Sequence, residues 1–143
     1  MKLVDTNVLL YAVNADSREH AVARACLEES LSDDAGVGFA WLALVGFVRL
    51  ATRRGILARP LAMEDALSVV DDWLVAPNAQ LLEATPRHWP ILRRLLVGAG
   101  AAGNLTNDAH LAALAIEHGA TLVSFDRDFE RFAGLRFDLL QAG

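Results

Sequence analysis

The sequence predicts an α/β fold, a three-layer α/β/α arrangement with a central parallel β-sheet, formed by a single domain over residues 1–143. Three observations predict it. Short apolar runs alternate with segments of helical period; 54% of the 143 residues are hydrophobic against 22% charged; and no repeat, linker or low-complexity tract breaks the alternation. A chain of this size buries about two-thirds of its unfolded surface, so it needs no covalent staple. The lone Cys26, set among helix formers, reads as a buried inert thiol and points to a reducing, cytoplasmic compartment.

The elements follow in order. Lys2 to Val4 is a short strand, Asp5-Thr6-Asn7 a turn, and Val8 to Val13 a helix. Beyond Ser17, the residues Ala21, Val22, Ala25, Cys26 and Leu31 recur at helical spacing up to the Asp33-Asp34-Ala35-Gly36 break. Val37 to Ala40 suits a buried strand. Trp41 to Arg54 is a helix with Trp41, Leu44, Val45, Val48 and Ala51 on one face, ended by Gly55. After the Arg59-Pro60 turn, Ala62 to Leu74 is helical, Pro77-Asn78 stops it, and Gln80 to Glu83 reads as a strand. Pro86 opens a helix from Arg87 to Leu96. Gly98, Gly100 and Gly103 form a loop too irregular for a phosphate-binding fingerprint, and Asn104 to Asp108 leads into a helix that ends near His118-Gly119. Thr121 to Phe125 is a clear strand, followed by the turn Asp126-Arg127-Asp128, a short helical stretch Phe129 to Phe132 and a last strand Leu135 to Leu139.

Charge narrows the function classes. With 13 Lys+Arg against 18 Asp+Glu the net charge is -5, which argues against a protein that coats nucleic acid by bulk charge and leaves room for an enzyme with a local basic face. The apolar run Phe39 to Val48 is about half of the roughly 20 residues a membrane span needs. No membrane role is expected.

In open parallel sheets, sites form beyond the carboxyl ends of the strands. Asp5 ends the first strand, Asp126 and Asp128 follow the strand from Thr121, and Asp108 stands where a helix amino end points to the same edge. Two carboxylates about 4 Å apart at an effective dielectric of about 20 repel by roughly 4 kcal/mol, so acids gathered there call for a cation. Oxygen ligands suit magnesium or manganese, and the sequence offers no Cys/His set for zinc. Each acid taken singly also has a plain structural role, as a helix cap or a first-turn charge. Glu28-Glu29, Asp33-Asp34 and Asp71-Asp72 read as solvated faces and turns. His20 and His118 read as surface or cap residues, His88 as packing, and His110 as pointing to a different helix face from Asp108. The Trp and Phe residues mostly fall on apolar stripes and read as core. Arg49, Arg53 and Arg54 form a basic stretch that is either a solvated face or an edge for phosphate.

Three segments together carry a resemblance: Val4-Asp5-Thr6-Asn7-Val8-Leu9-Leu10-Tyr11-Ala12, Thr106-Asn107-Asp108-Ala109-His110-Leu111-Ala112-Ala113-Leu114-Ala115, and Ser124-Phe125-Asp126-Arg127-Asp128-Phe129. In order and spacing the chain resembles the PIN-domain ribonucleases, most closely the VapC toxins of bacterial toxin-antitoxin pairs. The resemblance covers essentially the whole chain; Trp41 to Arg49 and Pro86 to Trp89 look like the actinobacterial branch. It implies an endoribonuclease using Mg2+ or Mn2+, with Asp5, Asp108 and Asp126 matching the metal-binding acids and Asp128 an additional acid of the pocket. Thr6 and Asn7 would shape that pocket, and Arg49 would face RNA phosphate. A cognate VapB-type antitoxin, a homodimer, and operator DNA bound only through the antitoxin are implied in the same way. One departure stands out: the family commonly has a Glu on the third helix where this chain has Gly46.

Two other readings remain. One is a PIN nuclease of RNA processing outside any toxin-antitoxin pair; the other is a catalytically weak RNA- or protein-binding module, which Gly46 favours. Receiver-like or phosphatase-like domains also begin with a strand-end Asp, but Asp5-Thr6-Asn7 lacks the second acid of a phosphatase pair.

Overall fold

A computed structural model describes residues 1–100 and 105–143. Gly103 and Asn104, read above as loop and helix entry, lie outside the described residues. Five strands form one sheet in the order β3-β2-β1-β4-β5, every pair parallel. The strands are β1 (Lys2–Val4), β2 (Val37–Phe39), β3 (Ala79–Leu81), β4 (Thr121–Ser124) and β5 (Phe137–Leu139). Between them run α1 (Thr6–Val13), α2 (His20–Ser32), α3 (Trp41–Ala51), α4 (Met63–Val75), α5 (His88–Ala99) and α6 (Leu105–Glu117), with a 3₁₀ helix at Arg127–Arg131.

Strand alternation divides the core into two. Val4 and Val123 face a cluster built with α1 to α4, including Val8, Leu9, Phe47 and Trp73. Leu3 and Leu122, their neighbours in sequence, face the other cluster, built from α5, α6, Phe129 and Phe132. The period of two thus separates the faces, and helices cover both. No helix among the described residues is long and apolar enough to cross a membrane.

Several expectations need correction. The strand expected at Gln80 to Glu83 is Ala79–Leu81, and the last strand begins at Phe137 rather than Leu135. Gly98, assigned to a loop, lies inside α5, whose left-handed cap is Gly100 at φ 60°. The third helix stops at Ala51, ahead of Arg53 and Arg54, with Thr52 as its cap and the Thr52 hydroxyl donating to Val48 O at 2.8 Å. Trp41 and Val45, placed on the same apolar stripe as buried Leu44 and Ala51, are 51% and 62% exposed, and Trp89 is 64% exposed. Of the three tryptophans Trp73 alone is buried, against Phe39 and Phe47.

Candidate active site

The sheet order places β1 between β2 and β4, so the residues that follow these strands meet at one edge. Asp5 follows β1 directly and caps α1, its Oδ1 accepting the Thr6 N–H at 2.8 Å. Its Oδ2 accepts the Ser124 hydroxyl at 2.7 Å. Ser124, fully buried at the end of β4, also accepts from Asn7 Nδ2 at 3.1 Å and from the Asp126 N–H at 3.0 Å. Asn7 completes the tie by accepting the Phe125 N–H at 3.3 Å on Oδ1. Asp126 in turn caps the 3₁₀ helix, accepting the Asp128 N–H at 2.9 Å.

Asp108, in the first turn of α6, arrives from the other core layer. One carboxylate oxygen each from Asp108, Asp126 and Asp128 lie within 4.8 Å of one another. Asp5 does not join that trio at this spacing, and its two oxygens accept from Thr6 and Ser124. It is electrostatically coupled all the same. Burial, then the charges of Asp5, Asp126 and Asp128, push the Asp108 carboxyl up to about 6. Burial also raises Asp5, with the Asp126 charge adding and the bonds from Ser124 and Thr6 opposing. The donor set is all carboxylate oxygen, the one ion pair it makes among the described residues is the long contact of Asp128 with Arg131 at 3.9 Å, and the residues fit a hard divalent cation.

A cleft of about 220 Å³ opens beside the acids, lined by Asp5, Thr6, Gly46, Arg49, Asn107 and Asp108 among others. Thr6 donates its hydroxyl to Ala43 O at 3.2 Å and so lies flat against α3. A Cβ on Gly46 would stand 2.8 Å from Thr6 Oγ1, so no acid enters the cleft from this position unless Thr6 gives way. Arg49 lies on the same wall, exposed; Arg53 and Arg54 lie beyond the helix.

Three buried polar residues among those described escaped the sequence reading, of which Ser30 donates its hydroxyl to Cys26 O within α2. Ser124 carried a faint signal, a hydroxyl closing an otherwise apolar strand two residues before an acid. Glu117 carried none: its carboxylate, fully buried, accepts the Thr85 N–H at 3.1 Å and pairs with His88 Nδ1 at 3.0 Å. His88 Nε2 meets His110 Nδ1 at 2.9 Å, so His88 is a polar tie between α5 and α6 rather than plain packing. Burial and the neighbouring His88 lower the His110 pKa, with Glu117 opposing. His20 and His118 bond backbone carbonyls of Tyr11 and Glu83, as cap-type residues do.

Residues 2–135 match the PIN domain family. Ribonuclease VapC37 of Mycobacterium tuberculosis is 54% identical over 138 residues, covering 96% of each chain. The chain belongs to the PIN-domain family, among the VapC ribonucleases. VapC ribonuclease Mb2897 of Mycobacterium bovis is 45% identical over 96% of this chain and 93% of its own. Among solved structures, VapBC2 from Rickettsia felis bound to a promoter DNA fragment aligns with TM-score 0.69 at 20% identity, covering 96% and 97% of the two chains. VapC20 of Mycobacterium tuberculosis, described as a Sarcin-Ricin loop cleaving toxin, aligns with TM-score 0.68 at 20% identity over 95% and 99%. These two likenesses show the fold.

Proposed function

We propose that the chain is a metal-dependent endoribonuclease, the toxin of a VapBC-type pair, which hydrolyses phosphodiester bonds of tRNA, rRNA or mRNA at the Asp5, Asp108, Asp126 and Asp128 edge. The observation that carries this reading is the convergence of Asp108, on α6, with Asp126 and Asp128, in the turn after β4, which brings one carboxylate oxygen of each within 4.8 Å of the others. Three carboxylates this close, with the long and exposed Arg131–Asp128 pair offsetting little of their charge, are costly in a domain of marginal stability, and Mg2+ or Mn2+ would offset the rest. When bound there, such an ion supplies charge neutralisation at the phosphate and acidifies a water molecule.

The chain's own residues do the positioning. Thr6 and Ser124 hold the Asp5 carboxylate from both sides, the Asp128 N–H holds Asp126, and α6 delivers Asp108. Thr6 and Gly46 form one wall of the cleft, and Arg49 on the same wall attracts the phosphate backbone. A VapB-type antitoxin blocks this edge in the resting pair, the toxin acts as a homodimer, and operator DNA is met only through the antitoxin. The neighbours solved as VapBC complexes support the pairing.

The test is cleavage of total RNA by the purified protein with magnesium, with manganese and with chelator, beside Asp5→Asn and Asp108→Asn. Discrete fragments that require metal and fall by orders of magnitude in both variants are expected. Equal inactivity of all three proteins with every metal overturns the reading and leaves Gly46 as the mark of a binding module.

A further inference from the structure

RNA is a polyanion, and a chain of net charge -5 must place cations locally to hold it over an acidic cluster. Arg49 does so from α3, which follows β2. The 3₁₀ helix follows β4, on the other side of β1, and carries a second set of cations. Arg131 stands with Nη2 3.9 Å from Asp128 Oδ1. The same residue lines a separate cleft of about 130 Å³ together with Arg94, Leu95, Gly98, Ala99 and Ala133. Arg94 is fixed in place, its Nη1 donating to Ala133 O at 3.2 Å. Two arginines therefore line a small cleft whose other lining residues, among those described, are apolar or glycine, and the guanidinium of Arg131 borders the acidic trio.

Arg94 ties the turn at Ala133, but a purely structural role explains Arg131 poorly. The Arg131–Asp128 pair is long, and its side chains are 56% and 49% exposed, so it contributes little to stability. A guanidinium in that setting keeps donors in the planar fork that suits phosphate oxygens. We propose that the cleft is a phosphate subsite of the RNA strand, in which Arg94 and Arg131 hold a phosphodiester flanking the scissile one. The proposal takes its ligand from the ribonuclease reading above. With Arg49 on one side of the acids and this pair on the other, the strand is held at two points and the scissile phosphate lies between them.

The experiment is fluorescence anisotropy of an end-labelled, mixed-sequence single-stranded oligoribonucleotide in chelator across a salt series. It compares the native chain with Arg94→Ala, Arg131→Ala and Arg131→Lys, and with Arg24→Ala on α2, which changes the net charge equally from elsewhere. For a single strand, each phosphate that the protein no longer neutralises lowers the slope of log affinity against log salt by about 0.7. Arg94→Ala and Arg131→Ala are each expected to show that decrease, with affinity reduced several-fold at low salt, while Arg131→Lys and Arg24→Ala keep the native slope. The Arg131 side chain makes no backbone hydrogen bond among the described residues, so its alanine variant reads the subsite even where Arg94→Ala disturbs the turn at Ala133. Native slopes in both alanine variants, or an equal decrease in Arg24→Ala, overturn the proposal. Cleavage measured in parallel separates the two readings: a native chain that binds with the expected slope pattern but never cuts supports the subsite and overturns the nuclease.

Discussion

Gly46 shows how one residue reshapes the cleft. A helix-interior Gly→Ala change ordinarily gains about 1 kcal/mol, because glycine carries the larger backbone entropy. Here the added Cβ would lie 2.8 Å from Thr6 Oγ1 and 3.2 Å from its Cγ2. Thr6 is β-branched and bonded to Ala43 O, so it has no free rotation to escape, and overpacking of this kind costs about 1–3 kcal/mol. Gly46→Ala is therefore expected to destabilise the native chain and to stabilise Thr6→Ala, a reversal of sign read by urea denaturation of the four proteins of the cycle. A stabilising Gly46→Ala in both backgrounds removes the steric account. The absence of an acid at position 46 was visible in the sequence; the threonine that fills its place was not, because the meeting of α1 and α3 is a tertiary fact.

At the scale of elements, Ser124 joins the ends of β1 and β4 to the turn that carries Asp126 and Asp128. Its hydroxyl serves Asp5, Asn7 and the Asp126 N–H together. Ser124→Ala leaves these groups without that partner, at a cost of about 1–3 kcal/mol for a buried group left unmade, and it frees the Asp5 carboxylate to turn. Cleavage should fall with kcat reduced more than KM, and the metal concentration for half activity should rise. A loss of stability with kinetics and metal dependence unchanged would reduce Ser124 to a structural role. Glu117 provides the contrast, since it ties Thr85 and His88 to α6 away from the cleft. Glu117→Ala should lower the unfolding free energy by about 1–3 kcal/mol with kcat little changed, as thermal unfolding and cleavage assays would register. Neither residue stood out in the sequence, because a buried polar side chain is identified by its partners rather than by its period. The helices were legible to within about three residues, since eight or more residues reveal a 3.6 period. Strands of three residues show too few alternations to fix their ends, so β3 and β5 shifted.

For the whole molecule, the acidic edge links stability to pH, and metal is expected to change that link. Asp108 has an ordinary value of 3.8 and a folded value of about 6, raised by burial and by three neighbouring acids. Between these values the folded state binds the proton more tightly than the unfolded one. The group's favourable contribution is thus complete below 3.8 and is lost as pH rises through about 6. The metal-free protein at about pH 7.5 therefore carries the carboxylate repulsion, and lowering the pH to about 5 relieves the part due to Asp108. Asparagine holds the shape without the charge. In chelator at about pH 7.5, Asp108→Asn should melt above the native chain, and the gap should close towards about pH 5 as the native carboxyl protonates. Saturating metal should reverse the order, because a ligand at about 100 times its Kd stabilises the folded state by about 2.7 kcal/mol and the variant has lost one ligand. The order of melting temperatures with and without metal is the decisive reading. If Asp108→Asn melts below the native chain in chelator at that higher pH, the acids are not in mutual repulsion, and the cation is not what their convergence requires.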